Sequence, residues 1–118
     1  MTLQKKQKGE LGERMAEAYL QYRGFRLIER NWSCRHGEID LIMKRGREMR
    51  FIEVKYRTNT EFGFPEEAIT ELKLEHIKKT VETYLFNLKT PIQHYQIDII
   101  SIIKICQHKP EIRWIEGV

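Results

Sequence analysis

Asp40, Glu53 and Lys55 are the residues of this chain whose types and spacing point to chemistry. They lie in the stretch GEIDLIMKRGREMRFIEVKYR, Gly37 to Arg57, which alternates like two antiparallel strands joined by a tight turn. Glu38 and Asp40 share a face of the first strand; Glu53, Lys55 and Arg57 share a face of the second. If residues 45–48 (RGRE) form a four-residue loop, Asp40 stands opposite Glu53 and Glu38 opposite Lys55. An even loop follows if Ile39 and Leu41 are to share a face with Ile52 and Val54. A two-residue loop would instead pair Glu38 with Glu53. Either register sets carboxylates of adjacent strands opposite one another, with Cβ atoms roughly 5 Å apart.

Like charges placed so destabilise a sheet, and Asp and Glu are poor strand formers. A fully solvated face would tolerate them, but Ile42 and Phe51 lie on this face too. A partly buried acid pair needs a compensating cation, and a hard divalent metal with Lys55 beside it would supply one. Two helical residues add to the set. At roughly 100° per residue, Glu13 falls at the edge of the first helix's apolar arc, next to Leu20, with Glu10 and Glu17 further out toward water. Lys73 falls inside the apolar stripe of a second helix, flanked by Ile69, Ile77 and Tyr84. From there its ammonium either snorkels past the core edge or points at the acids.

The elements that must position these groups are readable from periodicity. Residues 3–9 are a polar, basic lead-in, and KKQK within them reads as a tail. Glu10 to Tyr22 is helical, with Leu11, Met15, Ala18, Tyr19 and Tyr22 as its apolar stripe, and Gly24 ends it. FRLIERNWS is a strand, and the acidic segment supplies two more. TNTEFGFP is a loop; Pro65, Glu66 and Glu67 then open a helix that runs to about Lys89 and is stopped by Pro91. QHYQIDIISIIKI is a long β-branched strand and EIRWIE a short final one. Helix, three strands, helix and two strands make an α/β chain around one mixed sheet. Trp32, Trp114, Tyr19, Tyr22 and Tyr84 read as core residues.

The 118 residues fit one domain, 1–118, with 1–8 as a flexible lead-in. Hydrophobic residues at 41% and charged residues at 32% exclude a disordered chain. No apolar run reaches membrane-spanning length and no secretory signal is visible, so a cytoplasmic protein without a membrane partner is expected. Two cysteines, Cys34 and Cys106, make no disulfide framework. The net charge of +4 is compatible with nucleic acid. Arg35, Lys44, Arg45, Arg47, Arg50 and Arg57 cluster around the acidic hairpin, where they suit phosphate contacts that ignore base sequence.

Asp40 followed by Glu53-Val54-Lys55 resembles the core of the PD-(D/E)xK nucleases. GELGERMAEAYLQYRGFRLIERNW, GEIDLIM, FIEVKYR and FGFPEEAITELK together resemble the YraN-like bacterial family, described as Holliday-junction-resolvase-like, from Gly9 to Ile100. The resemblance implies a restriction-endonuclease-like αβββαβ core, with catalytic roles for Glu13, Asp40, Glu53 and Lys55 and accessory ones for Glu38 and Lys73. Under it, Asp40, Glu53 and the Val54 carbonyl would hold Mg²⁺ or Mn²⁺. Glu13 would add a second metal or a water, and Lys73 would reach the scissile phosphate. Arg35, Arg45, Arg47 and Arg57 would bind nucleic acid, with DNA the expected partner and a homodimer the expected assembly. The chain departs from the family at YQID, where an arginine–aromatic pair is expected before the aspartate, so Asp98 lacks its expected basic neighbour.

Two rival readings stand beside this one. One is a nucleic-acid-binding accessory of a DNA-processing or uptake complex, without turnover. The other is a zinc protein built on Cys34-Arg-His36 and Cys106-Gln-His108, whose one-residue gaps are tighter than the spacing usual in structural zinc sites. His76 lies on a helix flank and His94 opens a strand.

Overall fold

A computed structural model describes residues 5–61, 63–92 and 94–118 of the chain. The elements follow the order α1 (Lys5–Tyr22), β1 (Arg26–Cys34), β2 (Gly37–Arg45), β3 (Glu48–Arg57), a 3₁₀ turn (Pro65–Ala68), α2 (Glu71–Asn87), β4 (His94–Ile103) and β5 (Glu111–Ile115). The five strands form one sheet in the order β1-β2-β3-β4-β5. All neighbours are antiparallel except β3 and β4, which run parallel because α2 carries the chain back between them. This is the mixed sheet flanked by helices that the sequence implies, with the αβββαβ order of a restriction-endonuclease-like core.

Each face of the sheet carries one helix and one apolar cluster. Ala16, Leu20, Phe25, Leu41, Met43, Ile52, Ile100 and Ile102 pack on the α1 side. Ile39, Ile42, Met49, Phe51, Ile97, Val81 and Tyr84 pack on the α2 side. β4 reads as a continuous apolar run because both of its faces are covered. Trp32 and Trp114 pack against the two clusters, as expected of core aromatics.

Four expectations change. α1 begins by Lys5, so residues 5–9, including KKQK, are helix; the part of the expected lead-in at 1–4 lies outside the described residues. Its inward face is Gly12, Ala16 and Leu20, flanked by Met15 and Tyr19, whereas Leu11 and Ala18 are exposed and Tyr22 is 90% exposed. The cause is size: a Cβ on Gly12 would lie 2.8 Å from Tyr56 Cβ, so α1 meets β3 through its smallest residues. Glu17, expected toward water, is drawn against β1 by Arg30 at 2.7 and 2.9 Å. The expected helix from Pro65 to Lys89 is split in two. Ile69 is extended (φ −90°, ψ 105°), and Thr70 starts α2 afresh as its N-cap, its hydroxyl accepting from the Lys73 N–H.

Candidate active site

The β2–β3 pairing has the register that sets Asp40 against Glu53. Leu41 pairs with Ile52 and Arg45 with Glu48, leaving Gly46 and Arg47 as the turn. The same register is therefore reached with a shorter turn than RGRE. The ladder stops at Leu41 and Ile52, and the next pair is the two acids. There the Val54 N–H donates to Asp40 Oδ2 at 2.8 Å, so the carboxylate replaces a strand partner where β2 and β3 part.

A backbone inversion creates that parting. Arg30 reaches Glu17 of α1, yet Trp32 packs on the α2 side. Opposite them, Leu41 belongs to the α1 cluster and Ile39 to the α2 cluster. Residues two apart on a regular strand share a face, so the faces exchange between them, at Asn31 and Asp40. Asn31 has φ +50°, a left-handed conformation that asparagine tolerates better than most residues. Ile39 therefore does not share a face with Leu41, Ile52 and Val54, as strict alternation requires.

Asp40, Glu53, Val54 and Lys55 line a cleft of about 560 Å³ with Glu13, Lys8, Arg57 and Asn59. Gly12 holds α1 close enough for Glu13 to form one wall. Burial pushes Asp40 up to about 8, and the Glu53 charge adds to this against the opposing Val54 N–H bond. Burial also raises Glu53, although Lys55, with Nζ 3.5 Å from Oε1, pulls it back down. Glu13 is raised by burial and by its acidic neighbours, against a hydrogen bond with Asn31. Glu38 is exposed but close enough to raise all three.

Lys73 is exposed and does not belong to an apolar stripe. Its Nζ donates to the Ala68 carbonyl at 3.2 Å, and its charge is still felt by Glu53. Arg57 borders the cleft, and Arg35 lies in the β1–β2 turn. Arg45 and Arg47 sit at the β2–β3 turn, about 20 Å away along the strands. Arg50 is buried and bound to Asp98, Glu116 and Glu48, which removes it from any phosphate surface. It is also the missing basic neighbour of Asp98, arriving from β3 instead of β4. Asp98 accepts from Arg50, Gln96, Trp114 and the Gly117 N–H, so its burial is fully compensated.

Reading the sequence missed Lys8, Asn59, Asn31 and Gly12. Of these only Gly12 carried a signal, because a glycine inside a helix needs a packing reason. Among the described residues no three His, Cys, Asp or Glu side chains converge closely enough to hold a metal ion, so the two Cys-x-His pairs do not meet. The oxygen donors present, two carboxylates with raised proton affinity and a nearby peptide carbonyl, do fit magnesium. That ion is commonly bound through one or two carboxylates and keeps several waters. No helix among the described residues is long and apolar enough to cross a membrane.

Comparison with known proteins places this sequence in a family. Curated relatives named UPF0102 protein include those of Geotalea daltonii (40% identical, over 92% of this chain and 85% of the relative), Dictyoglomus thermophilum (42%, over 83% of each) and Beutenbergia cavernae (33%, over 93% of each). The profile of the Uncharacterised protein family UPF0102 matches residues 12–102, spanning α1 from Gly12 through most of β4, and the chain belongs to that family.

Proposed function

We propose that the chain is a metal-dependent endonuclease that hydrolyses phosphodiester bonds in DNA, branched and junction DNA included. The observation that carries this is the Asp40–Glu53 pair in an open cleft, both acids raised by burial even with Lys55 3.5 Å from Glu53. A structural role would favour a neutral pair or a closed ion pair there; a cation site favours two acids left short of compensation.

Asp40, Glu53 and the Val54 carbonyl would hold Mg²⁺ or Mn²⁺. Such an ion, when bound, makes a water nucleophilic near neutral pH and offsets charge on the reacting phosphate. Lys55 lines the cleft beside Glu53, where it would orient a water, take up its proton or oppose negative charge growing on the phosphate. Glu13, whose carboxyl holds its proton more tightly than usual, offers an exchange site for a proton on the α1 wall. Lys8, Arg57 and Asn59 stand around the opening, where strand phosphates would pass. The family resemblance adds a homodimer, which light scattering of the purified chain tests.

The decisive experiment incubates linear and branched DNAs, with RNA as a comparison, with Mg²⁺ or Mn²⁺. Cleavage lost in Asp40→Ala supports the proposal; no cleavage of any substrate defeats it. That no third His, Cys, Asp or Glu converges there among the described residues favours one alternative, a nucleic-acid-binding accessory without turnover. That reading requires no carboxylate-dependent Mn²⁺ heat in calorimetry.

A further inference from the structure

The acid pair opens on a second side. Glu53 and Lys55 also border a cavity of about 220 Å³ between the β1–β2 turn and α2, whose other polar side chains are His36, Lys73 and His76. This wall is built by close packing. Gly37 has φ +147°, and a Cβ there would lie 3.1 Å from Thr80 Oγ1. Thr80 is buried, and its hydroxyl donates to the His76 carbonyl one helical turn earlier. A bare Gly37 therefore lets the β1–β2 turn settle on α2 and brings His36 to the cavity that His76 also lines. At the other end the Thr70 cap fixes the first turn of α2, from which Lys73 projects.

The charge pattern differs from that of the main cleft. Among the described residues Glu53 is the one acid lining this cavity and is already 3.5 Å from Lys55, while two imidazoles and the Lys73 side chain line the remaining space. Among the described residues neither imidazole has a side-chain hydrogen-bond partner. The main cleft, with Glu13, Asp40 and Glu53, repels an anion unless a cation is present; this cavity attracts one. Because the two share Glu53 and Lys55, an extended polyanion can occupy both.

We propose that this cavity is a subsite for one backbone phosphate of a nucleic-acid strand, next to the phosphate at Asp40 and Glu53, with His36, His76 and Lys73 as donors. It rests on the phosphodiesterase reading for its neighbour and is separable from it by experiment. The chain has four histidines, two at this cavity and two, His94 and His108, elsewhere. Imidazole NMR resonances in chelator, where no cleavage occurs, therefore report on the cavity with an internal control. A short DNA oligonucleotide should move His36 and His76 and leave His108 in place. The double variant His36→Gln/His76→Gln should bind that oligonucleotide about tenfold more weakly, the worth of one or two net hydrogen bonds. The control His108→Gln should bind as wild type.

Unmoved His36 and His76 resonances, or double-variant affinity equal to wild type, overturn the subsite. Movement by inorganic phosphate but not by the oligonucleotide also overturns it, since it assigns the cavity to the free ion. Manganese-dependent cleavage of the same oligonucleotide reads the catalytic proposal separately. Cleavage with unmoved histidines sinks only the subsite; moved histidines without cleavage sink only the catalytic reading.

Discussion

Replacing Asp40 by Asn should stabilise the metal-free protein, increasingly so as pH rises. In the folded chain this carboxyl holds its proton up to about 8, against an ordinary aspartate value of 3.8. Between those values the folded state keeps a proton that the unfolded chain releases, so wild-type stability falls as pH rises. The slope is about 1.4 kcal/mol per pH unit for one fully shifted group. The penalty is absent below the unfolded value, grows through the window and levels off above about 8. Asn has no proton to lose, and its amide oxygen can still accept from the Val54 N–H. From pH 5 to pH 7 the stability gap should widen by roughly 3 kcal/mol at most, and by about 1–2 kcal/mol once water in the cleft and coupling to Glu53 are counted. Urea unfolding followed by tryptophan fluorescence, at both pH values in chelator, measures it. Manganese at a hundredfold excess over its Kd should then stabilise wild type alone, by about 2.7 kcal/mol. A gap that stays constant or narrows between pH 5 and pH 7 would refute the reasoning.

Other perturbations test neighbouring parts. Lys55→Ala should lower cleavage about 10²- to 10⁴-fold in single-turnover kinetics, with manganese binding retained in calorimetry. Asp98→Ala removes the fully buried carboxylate that Arg50, Gln96, Trp114 and the Gly117 N–H share and should cost about 3–5 kcal/mol in urea unfolding, without touching the acid pair. Gly12→Ala puts a methyl 2.8 Å from Tyr56 Cβ; the shift of α1 should cost about 1–3 kcal/mol of stability. Because Glu13 moves with α1, cleavage should fall too, by up to about 10²-fold. Asn31→Val forces a branched side chain into the left-handed region and should cost about 1–3 kcal/mol, read by thermal melting.

What was legible in the sequence was what depends on local period. Strand parity offered the β2–β3 register that sets Asp40 against Glu53 as one of two even registers, although the turn that closes it is Gly46-Arg47 and not the four residues RGRE. Helix angle correctly placed Glu13 beside them. What was not legible depends on partners distant in sequence. The α1 face was read from hydrophobicity, whereas packing chose Gly12 and Ala16 because β3 comes so close. Arg50 reads as one more cation of a basic hairpin until the fold brings Asp98 and Glu116 to it. The break at Ile69 and Thr70 was signalled by a good capping residue, but the apolar spacing across it looked continuous. The left-handed Asn31 had no local signature, and with it Ile39 went to the opposite face from the one alternation assigns.

That asparagine gives the site an unusual vulnerability. The half-turn of β1 at Asn31 works like a twist in a ribbon: beyond it every side chain answers to the other layer. Asp40 lies on the twist, so its carboxylate reaches Val54 because of a backbone torsion in the neighbouring strand, in addition to its own place in the motif. A relative could keep Asp40, Glu53 and Lys55 and still lose the cleft if its residue at position 31 held an ordinary extended conformation. Within this fold, an intact motif and an intact site are separate properties, and the residue that divides them carries no charge.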